Sequence, residues 1–193
     1  MLITLSFLAS FFLSRLACFL TKTPTLTIRK IIILWEISVI LLIYLFHHLF
    51  PLPESIYLLS LWLVSFTLSL TDYLSLMVEP FILYPFALIT FIFFVSYQPF
   101  NLVHFILPCG IYIFFCCLDM FMSDSIGGGD IKLLMIYGFF LSFQQILYLI
   151  LISSISGLLF ILLVHITTGK RVDKLPFVPF LTLGLILATL WIN

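Results

Sequence analysis

Residues 146–167 read ILYLILISSISGLLFILLVHIT and contain no Asp, Glu, Lys or Arg. The hydrocarbon core of a bilayer, about 30 Å thick, takes roughly 20 apolar residues per helical crossing, so this run is long enough to span it. The rest of the chain is similar, since 64% of its 193 residues are hydrophobic and 8% are charged. A soluble domain has about a quarter of its residues charged. The composition therefore predicts an all-α, polytopic transmembrane helix bundle.

Polar joins and joins that contain proline or glycine divide the chain into eight predicted helical segments. A chain of this length has room for about eight crossings, which we expect to form a single membrane-embedded domain over residues 1–193. The first segment is as apolar as a signal peptide, but Arg15 lies inside it and no small-residue cleavage site precedes the basic cluster. It is therefore predicted to be a retained helix. The predicted segments are 2–20, 31–50, 54–71, 81–97, 102–121, 130–143, 146–167 and 177–192.

The positive charges between these segments predict the orientation of the helices, because Lys and Arg in short loops stay on the cytoplasmic side. Six of them fall in odd-numbered joins, Lys132 lies at the start of the sixth segment just after the fifth join, and the even-numbered joins carry none. We therefore expect the odd-numbered loops to be cytoplasmic and both termini to be external, in a multi-pass protein of the plasma membrane. The net charge is zero and no basic surface is evident, which excludes a nucleic-acid partner. The charges that decide the orientation are Lys22, Arg29, Lys30, Lys132, Lys170, Arg171 and Lys174.

Two acidic residues lie where this topology places the cytoplasmic membrane boundary. Asp72 closes the third segment, and Asp130 opens the sixth segment directly after three glycines. An aspartic mechanism of peptide hydrolysis requires two carboxyl groups in one site, one ionised to activate water and one protonated to polarise the scissile carbonyl. Glycines beside such a site let a substrate backbone approach closely. The alternative is that both aspartates are interfacial residues and that the glycines form a loop.

The sequence around Asp130 resembles the signature of the type IV prepilin peptidases, which are integral membrane aspartic enzymes. That signature is Gly-x-Gly-Asp-x-Lys-Leu with a glycine further along. The resemblance also covers an upstream aspartate at the cytoplasmic end of an earlier helix and a proline-phenylalanine element before the last helix. The matching residues are Gly127, Gly129, Asp130, Lys132, Leu133, Gly138, Asp72, Pro176, Phe177, Pro179, Phe180 and Leu181.

This resemblance implies that Asp72 and Asp130 are the catalytic pair. It also implies a membrane aspartic endopeptidase that cleaves type IV prepilin-like or pseudopilin precursors. Such a precursor has a short basic leader and a hydrophobic helix, and it is cut at the cytoplasmic membrane face, usually after a glycine. The residues implied in substrate binding or in support of the motif are Gly127, Gly128, Gly129, Lys132, Pro176, Phe177 and Pro179.

The chain departs from the larger members of that family in its first cytoplasmic loop. Those members carry a cysteine tetrad of the zinc-binding kind there and also methylate the new amino terminus, whereas residues 21–30 contain no cysteine. The chain therefore resembles the compact competence or pseudopilin-processing type, and S-adenosylmethionine would be a cofactor only if methylation were retained. No metal site is predicted, because the cysteines lie inside apolar runs without a Cys-x-x-Cys pair. They are Cys18, Cys109, Cys116 and Cys117.

Two other functions stay open at this point. The presenilin-like and signal-peptide-peptidase-like intramembrane proteases also use Gly-x-Gly-Asp, but they pair a Tyr-Asp motif with Pro-Ala-Leu, whereas Thr71 precedes Asp72 and no Pro-Ala-Leu occurs here. A non-enzymatic membrane subunit could instead use the two aspartates to relay protons or to hold a partner. The family's Ile-Pro pair is replaced by Val-Glu-Pro at residues 78–80. Glu79 is the second candidate for the upstream acid if Asp72 proves dispensable. Asp119 and Asp124 are the other acids near this boundary.

The positions of the two aspartates on their helices predict which one keeps the proton. Asp72 lies at a carboxy terminus, which disfavours an anion, and Asp130 lies at an amino terminus, which favours one. One negative carboxylate also raises the proton affinity of its neighbour. The sequence therefore predicts that Asp130 starts as the base and Asp72 as the acid.

Overall fold

The computed structural model describes residues 35–39, 41, 43, 44, 56–99, 101–122, 127–169 and 175–191. Within these ranges the regular structure is helical and no strand occurs, so the prediction of an all-α helix bundle is confirmed. Residues 35–39 are helical as well. The helices with complete bounds are α1 (Ile56–Ser75), α2 (Pro80–Tyr97), α3 (Val103–Met122), α4 (Gly128–Phe140), α5 (Phe143–Thr168) and α6 (Val178–Trp191).

The last six predicted segments correspond to these helices, with ends that differ by a few residues. The predicted segments 2–20 and 31–50 lie outside the described residues, except for the helical residues within 35–44. Four helices, α1, α2, α3 and α5, are long and apolar enough to cross a membrane. The chain is therefore a multi-pass membrane protein. By contrast, α4 has only 13 residues, which corresponds to about 20 Å at 1.5 Å per residue.

Local sequence signals set the helix ends that matter for the site. Pro80 is the first residue of α2, where its missing N–H and its fixed φ fit the first helical turn. Gly127 caps the amino terminus of α4 in an extended conformation. The helix α5 begins with a capping box, in which the Ser142 hydroxyl accepts the Gln145 N–H and the Gln145 side chain accepts the Ser142 N–H.

Helix α1 is the most buried of the four long apolar helices, and it packs against both α2 and α6. Its apolar core includes Trp62 and Leu68, which are fully buried. The Trp62 indole N–H donates to the Thr189 hydroxyl of α6 at 3.2 Å. In the membrane interior, polar groups must find partners within the protein, so such contacts fix the rotation of α1 relative to its neighbours.

A second set of hydrogen bonds converges on Ser65, about two turns along α1 from Asp72. The hydroxyl of Tyr137 on α4 donates to the Ser65 hydroxyl at 2.7 Å, and both groups are buried. The Thr182 hydroxyl of α6 donates to the Ser65 carbonyl oxygen at 3.1 Å. These bonds hold α4 and α6 beside α1, about two helical turns from the end of α1 at which the predicted catalytic residues lie.

Gly138, the last glycine of the signature, has a packing role. A Cβ atom on Gly138 would lie 2.5 Å from Ile111 Cδ1 and 3.3 Å from Pro108 Cα on α3. A larger residue would displace the Ile111 side chain and would require α3 to shift by a few tenths of an ångström at Pro108. This glycine therefore contributes close helix packing within the bundle and does not line the site.

Candidate active site

Asp72 lies inside the last turn of α1. The sequence predicted that the helix would end at residue 71, but it continues to Ser75. The side chain of Asp72 is buried, with 6% of its surface exposed. One of its carboxyl oxygens, Oδ2, accepts a hydrogen bond from the Val178 N–H at 3.0 Å. Because Val178 is the first residue of α6, Asp72 lies at the amino terminus of α6 as well as at the carboxy terminus of its own helix.

Asp130 lies in the first turn of α4, as the sequence predicted. Its N–H donates to the Gly127 carbonyl oxygen at 2.9 Å, which closes that turn. The side chain is partly buried. An acidic side chain at this position interacts favourably with the partial positive charge of the helix amino terminus.

The fold brings Asp72 and Asp130 to one cavity of about 400 Å³ that opens to the outside of the molecule. The two carboxyl groups are close enough to interact electrostatically. The sequence separation of these residues is large, and α4 approaches α1 and the loop after it through the Tyr137–Ser65 hydrogen bond and the contact of Gly129 with Val78. The cavity is lined by Asp72, Leu76, Met77, Val78, Pro80, Leu83, Tyr84, Gly127, Gly128, Gly129, Asp130 and Lys132.

Two of the three consecutive glycines are required by close contacts. A Cβ atom on Gly127 would lie 3.0 Å from Oδ2 of Asp130, and one on Gly129 would lie 2.8 Å from Cβ of Val78. A Cβ atom on Gly128 would meet nothing within 4 Å. The pattern agrees with the Gly-x-Gly-Asp signature, in which the middle position varies.

The loop between α1 and α2 forms the opposite wall of the cavity. Leu76 has a φ of 55°, a left-handed conformation that costs a bulky residue roughly 1–2 kcal/mol. Its N–H donates to the Asp72 carbonyl oxygen at 2.7 Å and so ends α1. This sharp turn directs the chain so that Val78 packs against Gly129. Sequence reasoning noted the displaced proline in this loop but missed the role of Val78.

The proline-phenylalanine element does not line the cavity. Phe177 precedes α6, and its carbonyl oxygen accepts the N–H groups of Phe180 and Leu181 at 3.0 and 3.1 Å. Pro179 is the second residue of the helix. These residues therefore shape the amino terminus of α6, from which the Val178 N–H reaches Asp72. Sequence reasoning missed Val178, which the signature does not include.

Of the other candidate residues, some line the cavity and others do not. Lys132 lines the cavity and its side chain is exposed. Glu79 and Asp119 are described but do not line it. Asp124 lies outside the described residues. Tyr84 of α2 lines the cavity and was not singled out from the sequence, because a single tyrosine in an apolar run gives no signal of function.

The arrangement can support acid–base chemistry by the two carboxyl groups. Both lie in a partly desolvated cavity, where one negative charge disfavours a second one nearby, so the pair tends to hold one proton between them. Such a pair can activate a water molecule and polarise a carbonyl group at once. Within the described residues, no group of three or more His, Cys, Asp or Glu side chains is arranged to hold a metal ion.

Comparison with known proteins gives one match. The model of a family described as the type IV leader peptidase family matches residues 57–162, which is more than half of the chain and includes both aspartates. No curated protein and no solved structure matches the chain significantly.

Proposed function

The chain belongs to the type IV leader peptidase family, and we propose that it is a membrane-embedded aspartic endopeptidase whose catalytic residues are Asp72 and Asp130. The observation that carries this proposal is the single cavity lined by both carboxyl groups. Two further acids near the same boundary, Glu79 and Asp119, do not line that cavity. The pair is thus selected from the nearby acids by position as well as by its match to the family signature.

In the proposed reaction, the ionised carboxylate of the pair takes a proton from water while the water oxygen bonds to the scissile carbonyl carbon. The protonated carboxyl group gives its proton to the carbonyl oxygen, which yields a tetrahedral diol. The first carboxyl group then returns its proton to the leaving nitrogen as the C–N bond breaks. The second carboxylate recovers a proton from one hydroxyl of the diol, so that both groups end in their starting states.

The proposed substrates are type IV prepilin-like or pseudopilin precursors, with a short basic leader followed by a hydrophobic helix. The rim of the cavity suits such a chain, because Met77 and Tyr84 are 65% and 53% exposed and offer apolar surface beside the aspartates. The helix of the precursor would lie in the bilayer against the bundle, and its leader would leave the membrane at the cavity. The positive charges of the odd-numbered joins favour a cytoplasmic position for this end of the bundle.

Cleavage of a prepilin-like precursor by the purified chain in lipid nanodiscs tests this proposal. We expect Asp72→Asn and Asp130→Asn each to lower the rate by at least about a hundredfold, because an amide can neither accept nor donate the catalytic proton. Glu79→Gln is the matched control, an isosteric change of an acid at the same boundary, and it should leave most of the activity. Retention of wild-type turnover in either asparagine variant would remove that residue from the pair.

Methylation of the product is a separate question for the same assay. S-adenosylmethionine would act as a cofactor only if the chain also methylates the new amino terminus. Its addition should leave the cleavage rate unchanged, since the proposed hydrolysis involves only water and the two carboxyl groups. The mass of the cleaved product then reports whether a methyl group has been added.

A further inference from the structure

The buried carboxyl group of Asp72 interacts with the backbone of a distant part of the chain, at Val178 and at the preceding residue Phe177. Its Oδ2 atom accepts the Val178 N–H at 3.0 Å, in a contact that is itself buried. The Val178 side chain is fully buried as well. A hydrogen bond to a charged acceptor is stronger than one to a neutral acceptor and is worth more where water is excluded.

The sequence at the start of α6 leaves the Val178 N–H available for this contact. The N–H groups of the first helical turn have no partner within the helix. Here the Phe180 N–H is used by the Phe177 carbonyl oxygen, and Pro179 has no N–H. Val178 therefore presents its N–H to Asp72 at the positive end of the α6 dipole.

We propose that the amino terminus of α6 is a positioning element that holds Asp72 through the Val178 N–H in the orientation and charge state of the catalytic base. This inference rests on the proposed peptidase function and adds the roles of the two aspartates. Asp72 is then the group that takes the proton from water, and Asp130 is the group that protonates the carbonyl oxygen. These roles are the reverse of those that the helix positions alone predict, in which Asp130 is the base and Asp72 is the acid. That prediction used only the helix on which each aspartate lies.

The charged and titratable groups around Asp72 are consistent with this assignment. Asp130 and Lys132 face the cavity from α4, and Tyr84 faces it from α2. Residues 175–191 contain no titratable side chain, so α6 acts on Asp72 through its backbone. Since Asp72 carries the charge, its negative field keeps the proton on Asp130.

Two substitutions at one position separate the N–H from the side chain. Val178→Pro removes the N–H, and proline is well suited to the first position of a helix. Val178→Ala keeps the N–H and removes the larger side chain. With a prepilin-like precursor as substrate, we expect Val178→Pro to lower kcat at least about tenfold with little change in KM. The acidic limb of its pH–rate profile should move up by about one pH unit, because protonation of Asp72 becomes easier.

Val178→Ala should keep the wild-type acidic limb, since its N–H is retained. A folded Val178→Pro variant with a wild-type acidic limb would overturn the inference, and so would an equal shift in Val178→Ala. If Val178 had only a structural role, the two substitutions would change stability and rate, but the pH–rate profiles of Val178→Pro and Val178→Ala would stay aligned with each other.

Infrared titration of the unmodified chain gives a second test that needs neither substrate nor the proline variant. Difference spectra against Asp72→Asn and Asp130→Asn assign the carboxyl bands. At neutral pH we expect an ionised Asp72 and a protonated Asp130, and the opposite assignment would overturn the inference. Because this measurement does not depend on turnover, it tests the positioning of Asp72 even if the chain fails to cleave a prepilin-like precursor.

Discussion

The contact between Gly129 and Val78 gives the sharpest prediction about the geometry of the pair. Gly129 precedes Asp130, and Val78 belongs to the loop that follows Asp72. In Gly129→Ala, the new Cβ atom would lie 2.8 Å from Val78 Cβ and 2.9 Å from Val78 Cγ2. Carbon atoms pack at about 3.5–4.0 Å, so the loop and the start of α4 must separate by roughly 0.7–1.2 Å.

A displacement of this size should affect activity more than stability. Overpacking of this kind typically costs about 1–3 kcal/mol, whereas misplacement of a catalytic group by about 1 Å can cost roughly a hundredfold in rate. We therefore expect Gly129→Ala to insert and fold but to cleave a prepilin-like precursor about a hundredfold more slowly. Turnover is measured on the purified chain in nanodiscs, with thermal unfolding as the measure of stability.

Control and rescue variants make this prediction specific. Gly110→Ala, on α3, places its Cβ where nothing lies within 4 Å, so it should behave as wild type. Val78→Gly removes both atoms that the alanine would meet, so the double variant Gly129→Ala/Val78→Gly should recover much of the lost activity. Wild-type turnover in Gly129→Ala, or no recovery in the double variant, would show that the contact between Gly129 and Val78 does not position the two aspartates.

Three further predictions concern the bundle and the pair. Tyr137→Phe removes the buried hydrogen bond to Ser65. It should lower the free energy of unfolding by about 1 kcal/mol, as measured by denaturant titration. An unchanged unfolding curve would show that this bond does not stabilise the bundle. Gly184→Ala would place a Cβ atom 2.6 Å from the Leu149 carbonyl oxygen. It should therefore destabilise the packing of α5 on α6 by about 1–3 kcal/mol in the same assay. Equal stability with wild type would show that the two helices can separate freely. The cleavage rate should fall at both pH extremes, because both carboxyl groups are protonated at low pH and both are ionised at high pH. A rate that is constant across the pH range would exclude a pair that shares one proton.

The helices could be predicted from the sequence because each one is an apolar run with a break at either end, and four of them are long enough to cross a membrane. The end of α1 was wrong for a physical reason. The predicted segment stopped where the apolar run meets the acid Asp72, but the Val178 N–H satisfies that acid, and the helix continues to Ser75. A local pattern cannot contain this information, since the two residues are 106 positions apart.

The candidate pair could be identified from the sequence because the glycines beside Asp130 are an unusual local signal. Their contacts explain the spacing, since Gly127 faces the Asp130 carboxyl group and Gly129 faces Val78. The partners Val78 and Val178 could not be predicted, because an apolar residue next to an apolar helix carries no distinguishing signal. The order of ionisation that we propose differs from the one predicted from helix positions for the same reason, as the amino terminus of α6 reaches Asp72 only in the folded chain.

The mass of the precursor fragments shows directly whether the chain removes a leader and whether Asp72 and Asp130 are its catalytic pair. A prepilin-like precursor is incubated in nanodiscs with the wild-type chain, with Asp72→Asn, with Asp130→Asn and with Glu79→Gln, and the products are weighed by mass spectrometry. We expect one cut that releases the short basic leader, made by the wild-type chain and by Glu79→Gln and absent with either asparagine variant. Cuts at several positions within the hydrophobic helix, or the same single cut by an asparagine variant, would contradict it.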